Sequence, residues 1–321
     1  MDHPVVAALI PVVLLIAIGF AAGKAQWIRA EAVKDLSGLV FLVLTPALLF
    51  RTMSTVRIEQ LNFGPVAIYF VAAGLIFASV LLLAGLNRRA AVLALASTFS
   101  NTLMIGVPLV GLAYGEPGLV ILFTLVSVHA LVLLTLATVV LELAVAREAV
   151  AQGQGAPRHL LATVALAARN AVIHPVPLPI IAGLLYAQTG WGLPAVVDKP
   201  LLLLGNAFSP LALVLVGVTL ASTAIGPHLR GALALATVKN VLHPLLVALL
   251  GWALGLSGLA LLVMVVAAAL PIGANVFLFS QRYRVAQELV TASVAVSSLL
   301  ALVTTSVVMA LLALFPRFTG V

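Results

Sequence analysis

Cysteine is absent from all 321 positions, which removes disulfides, thiolate metal sites and cysteine nucleophiles from consideration. Charge is scarce as well. Asp, Glu, Lys and Arg together make up 8% of the chain, where a soluble domain carries roughly a quarter, so too little charge is present to cover a water-facing surface. Acids are the rarer sign, 9 against 16 Lys and Arg. No Asp lies inside a long apolar run, and the one acid that does, Glu142, sits at the end of its run, so a carboxylate proton relay has no candidate. Intramembrane catalysis lacks its parts too. There is no HExxH, and Asp2, Asp35 and Asp198 supply no aspartate pair at depth. The Gly255-Leu256-Ser257-Gly258 stretch resembles a serine-protease motif, but the last histidine, His243, precedes that serine. The chain is not expected to be an enzyme. The net charge of +7 comes from basic residues scattered singly or in pairs between apolar runs, a pattern that sets membrane topology and not a nucleic-acid surface.

What is abundant is apolar: 64% of positions, with a mean hydropathy of +1.27. Runs long enough to cross roughly 30 Å of hydrocarbon fall at residues 4–22, 36–53, 65–85, 90–113, 118–143, 170–188, 201–221, 231–255, 259–280 and 289–315. The fold class is therefore an all-α membrane protein of ten transmembrane helices. The polar stretch 144–169 reads as a cytoplasmic linker between a first five-helix repeat, 1–143, and a second, 170–321. The N-terminal run has Asp2 before it and Lys24 after it, with no cleavage site, and reads as a retained first span and not a signal peptide. With both termini outside a bacterial-type inner membrane, only Arg51, Arg57, Lys199 and Arg317 of the 16 basic residues face outward.

Sliding the chain over itself by 164 positions sets Pro11 on Pro175, Gly19 on Gly183 and Pro46 on Pro210, and a shift of 163 sets Pro108 on Pro271. Five spans per repeat is an odd number, so the halves enter the membrane with opposite orientation, as in secondary transporters. Spans 4 and 9 each carry helix breakers at depth: Asn101, Gly106 and Pro108 in one, Pro271, Gly273 and Asn275 in the other. Broken helices persist in lipid only where protein or a watery cavity covers the freed backbone. The expectation is that the two cross near the midplane and present half-helix N-termini to an anion; buried proline kinks would give the same pattern. Thr45 beside Pro46, and Asn206 with Ser209 beside Pro210, either line the cavity or bond to carbonyls freed by those prolines. Lys239 and Asn240 lie well inside span 8, where the cation either meets a carboxylate or snorkels to the interface. Arg51 is expected to anchor at the outer interface, and His129 and His243 to be packed histidines, a proton relay being the alternative.

The phrases NTLMIGVPL (101–109) and ALPIGANVFLFSQRY (269–283), with LVLTPALLF (42–50) and LGNAFSPLALVLVG (204–217), closely resemble the auxin efflux carrier family across essentially the whole chain. That family includes plant auxin exporters and bacterial malonate-permease-type organic-acid carriers, and the second phrase is nearer to the bacterial members. The resemblance implies a scaffold and a moving transport domain, with a small organic anion held where spans 4 and 9 cross. The substrate-binding candidates are Asn101, Thr102, Ile105, Gly106, Pro108, Pro271, Gly273, Asn275, Thr45, Asn206, Ser209, Lys239 and Asn240, with Pro46, Pro108, Pro210 and Pro271 as crossover or hinge positions. No cofactor or metal is expected; coupling to Na⁺ or H⁺ stays open. The expected partners are the anion and membrane lipid, no nucleic acid, and a homodimer is compatible with the sequence. The alternatives are a sodium-coupled organic-anion symporter of the bile-acid-transporter type, or a membrane receptor or channel without transport.

Overall fold

The computed structural model describes residues 4–29, 31–151, 176–223 and 226–314. Pro175, Arg158, Arg169, Arg317, residues 152–169 of the linker and the start of the sixth span lie outside these residues. Within them the chain is all helical. In order, α1 is Pro4–Lys24, α2 Ala32–Leu39, α3 Thr45–Met53, α4 Phe63–Ala84, α5 Arg88–Ala96, α6 Val107–Ala151 and α7 Pro177–Gln188. Then come α8 Ala195–Ser222, α9 Leu229–Thr237, α10 His243–Ala253, α11 Gly258–Ala269, α12 Asn275–Tyr283 and α13 Gln287–Leu314.

Among the described residues, six stretches are long and apolar enough to cross a membrane: 32–53, 63–84, 102–148, 195–222, 226–253 and 287–312. Shorter apolar helices lie at 9–24, 177–188 and 258–269. The stretch 102–148 is not one straight rod, because α6 turns at Gly115, whose φ of 61° and ψ of −156° are outside the helical region and suit a residue without a Cβ. Leu82, Leu83 and Val196 are each more than 80% exposed, an outward apolar face that water would penalise and lipid tails do not.

Three π-helical turns share one cause. Val40–Leu44, Thr102–Gly106 and Val238–Leu242 each run directly into a helix whose second residue is proline: Pro46, Pro108 and Pro244. A proline ring clashes with the carbonyl four residues back and leaves it without a donor. A wider turn moves that carbonyl aside and bonds one residue further on, from Thr45 N–H to Val40 O, Gly106 N–H to Asn101 O and His243 N–H to Val238 O. The Thr45 hydroxyl also donates to Val40 O, at 2.8 Å.

The helices pack as two groups. One holds α1, α2, α3, α7 and α8; the other holds α4, α5, α6 and α9 to α13. In the first, α1 and α8 lie in backbone contact: a Cβ on Gly19 would overlap the Val214 carbonyl, and one on Gly217 the Ile16 carbonyl. Close approach through small residues is how helices gain packing where no hydrophobic drive separates protein from lipid. Arg51 is placed in this group, where it forms a two-pronged pair with Asp198 of α8 at 2.7 and 3.2 Å.

Candidate functional site

Both expected breaks occur, and they meet. The first interrupts the chain between α5 and the π turn at 102–106; the second separates α11 from α12. Ser100 and Ile272 pair as an isolated antiparallel bridge, with Asn101 N–H donating to Pro271 O at 2.8 Å and Gly273 N–H to Phe99 O at 2.9 Å. A Cβ on Gly273 would strike the Phe99 ring and one on Gly106 the Leu270 side chain, so glycine permits the close approach at both positions.

The first break is ended by side-chain chemistry and not by its proline. Ser97 and Thr98 donate to the carbonyls of Leu93 and Ala94, and Asn101 restarts the helix by accepting from Met104 N–H at 3.2 Å. Pro108 lies seven residues beyond Asn101, buried in α6, so the residues facing the Pro271–Gly273 segment are Phe99 to Asn101 and not Pro108. The offset of 163 aligned two prolines that occupy different parts of their breaks.

The carbonyls freed at the second break, at Ala268, Ala269 and Leu270, each have a side-chain partner. Lys239, fully buried, donates to Ala268 O and, at 2.8 Å, to Leu270 O. Thr305 donates to Ala269 O at 3.2 Å, and the Ser297 hydroxyl accepts from Ile272 N–H at 3.0 Å. Lys239 thus neither reaches the interface nor meets a carboxylate; it caps the C-terminus of α11, where the helix dipole favours a cation. Tyr69 of α4 does a comparable thing at the first break, 3.5 Å from Thr98 O and 2.7 Å from Ser100 Oγ.

A cavity of about 330 Å³ opens on this junction, at the small end of the roughly 300–1,000 Å³ typical of ligand pockets. Residues 99–104 and 273–275 line it from the two breaks, Val126, His129 and Ala130 from α6, and Phe41, Leu42 and Val176 from the other helix group. Among the described residues, none that lines it is an Asp, Glu, Lys or Arg. The electrostatics come from the restarts at Thr102 and Asn275, the positive ends of two helix dipoles, although the N–H groups of Thr102, Met104, Val276 and Phe277 already have acceptors close by in the chain. Asn101 spends its carbonyl on its own helix, which leaves its NH₂ for the cavity, and the Asn275 amide has no partner among the described residues.

Of the expected residues, Asn101, Thr102, Gly273 and Asn275 line the cavity. Ile105, Gly106, Pro108 and Pro271 are buried behind it, and Thr45 is enclosed by its own π turn. Asn206 and Pro210 are exposed on α8 with Ser209 half-buried between them, away from the cavity, and Pro46 opens α3. Asn240 donates to Ser297 O at 2.7 Å and faces a separate apolar groove. Ser100 and the cavity-facing position of His129 were not read from the sequence as site features; a histidine in an otherwise apolar run was the available signal.

Apolar helices enclosing a largely apolar cavity, with a few amide and hydroxyl groups at two helix breaks, form the site of an integral membrane transport protein. Residues 4–309 match the family described as Membrane transport protein, and the chain belongs to that family, the auxin efflux carrier family. It is 28% identical over 307 residues to the protein of Rhizobium meliloti (strain 1021) named "Putative malonate transporter", with 92% of each chain covered. It is 25% identical over 246 residues to Auxin efflux carrier component 8 of Arabidopsis thaliana, covering 65% of this chain and 67% of that protein.

Proposed function

We propose that the chain is a secondary-active carrier of a small organic anion, a malonate-like dicarboxylate, bound where the two broken helices meet. The observation that carries this is the position of the cavity. It lies on two helix N-termini, and both helix groups line it. N-termini attract anions, and two of them suit the two carboxylates of a short diacid. The similarity to a protein named for malonate supports the same class. A site shared by two groups of helices is exposed to one side or the other as the groups rock, which is alternating access. On this reading α1, α2, α3, α7 and α8 form the scaffold, and the remaining helices move. The paired breaks, each continued by a helix restart, are what ten spans in two inverted five-helix repeats (1–143 and 170–321) would produce, with spans 4 and 9 crossing. Both termini then face outward across the inner membrane.

The test is a thermal-shift panel of mono- and dicarboxylates on purified protein. A ligand of the native state stabilises it by mass action, by about 2.7 kcal/mol at a hundredfold excess over Kd, and so raises its melting point. Short dicarboxylates should give the largest shifts. Shifts only with amines or neutral solutes would overturn the assignment.

A further inference from the structure

Beside the cavity lies a cluster of titratable side chains that anion binding through backbone N–H groups and amides leaves unused. His129 lines the cavity from α6 and is 2% exposed. Its Nε2 is 3.2 Å from the Tyr69 hydroxyl, which is 2.7 Å from Ser100 Oγ, while its Nδ1 has no protein partner. The His243 ring of α10 lies 4.9 Å from the Tyr69 ring, enclosed, with neither nitrogen hydrogen-bonded. Lys239, also fully buried, lies four residues before His243 on the π turn that leads into α10. Phe70 and Phe99 close the other sides of the His129 ring. No carboxylate belongs to the cluster among the described residues.

We propose that the carrier moves one proton with its anion and that His129 holds that proton, Tyr69 being the positioning residue that keeps the ring turned to the cavity. This rests on the anion-carrier reading above. A proton on His129 puts a positive charge into surroundings with little water, and that charge needs a balancing anion. A dicarboxylate leaving water needs cationic charge in return, and each helix end offers only about half of one. Proton and anion each raise the affinity for the other, and such coupling is reciprocal. The hydrogen bonds accommodate both states. With neutral His129, the Tyr69 O–H donates to Nε2 and the proton sits on Nδ1. With protonated His129, Nε2–H donates to the Tyr69 oxygen, and the Tyr69 O–H turns to Ser100 Oγ. His243 does not line the cavity and is not assigned the proton.

The experiment is uptake of radiolabelled malonate by proteoliposomes, with the membrane potential clamped and the external pH fixed so that the ionisation of the added malonate never changes. Making the interior one pH unit more alkaline should raise the accumulation ratio about tenfold for one coupled proton, and an internal pH dye should report acidification on adding malonate. His129→Gln should slow uptake and leave what remains indifferent to the gradient. Tyr69→Phe, which keeps the imidazole, should weaken the gradient response more than it lowers the amount of folded protein. Wild-type accumulation that ignores the gradient would overturn the proposal, as would a full gradient response in both variants. A wild-type protein that neither binds nor exchanges malonate would instead remove the anion reading itself, and this proposal with it.

Discussion

Lys239→Met should melt well below the wild type. The methionine matches the length of the lysine but donates nothing, so Ala268 O and Leu270 O lose their partner inside a membrane domain with no water to replace it. An unsatisfied buried acceptor costs about 1–3 kcal/mol, and two of them at one helix end place the loss at about 3 kcal/mol or more. The same bonds hold Leu270, the residue that leads into Pro271 and the bridge to the other break. The cavity should therefore be disturbed as well, with dicarboxylate binding weakened in whatever protein stays folded. A fluorescence melt of detergent-purified protein measures the first effect. A Lys239→Met variant that melts with the wild type would mean that the capping bonds contribute little.

Gly217→Val should be nearly as damaging, for a steric reason in the other helix group. The added Cβ would meet the Ile16 carbonyl oxygen and lie 2.6 Å from Phe20 N, and backbone atoms of a facing helix cannot rotate aside as a side chain can. The helices α1 and α8 must then separate along their contact, which forfeits packing over several turns. Overpacking of this kind typically costs 1–3 kcal/mol, occasionally more, and backbone contact places this site at about the upper end. Gly19→Val should behave alike, since it meets the Val214 carbonyl from the opposite helix. Gly74→Ala is the control: nothing lies within 4 Å of its added Cβ, and alanine favours the helix by up to about 1 kcal/mol. Yields and melting points that rank the three variants otherwise would contradict the close-contact account.

The membrane class and the two breaks were legible in the sequence because each rests on local physics. Hydrophobic run length reports on a bilayer directly, and proline and glycine at depth report on broken helices. Position within the breaks was less legible. In span 4 the proline drew attention, whereas the helix is ended by Ser97, Thr98 and Asn101 bonding back to the chain, a job that polar side chains also do on unbroken helices. The partners of Lys239 were not legible at all. They lie on a helix about thirty residues later, and no periodicity in the sequence encodes which carbonyl a long side chain will meet. Asn206 beside Pro210 fits the same pattern as Asn101 beside its break, yet it faces outward, because α8 continues through that proline without opening.

Among the lining amides, Asn275 tests the central claim most cleanly. Asn101 caps a helix, so Asn101→Ala should lower both stability, by about 1 kcal/mol, and affinity. The Asn275 side chain has no hydrogen bond to lose among the described residues. If its amide donates to the bound anion, removing that bond costs about 1.5–3 kcal/mol. The direct measurement is calorimetric titration of Asn275→Ala with the dicarboxylate that shifts the wild-type melting point furthest, alongside a melt of the unliganded variant. The expected result is a Kd weakened about ten- to hundredfold at an unchanged melting point. Wild-type affinity in that variant would place the anion somewhere other than the junction of the two broken helices.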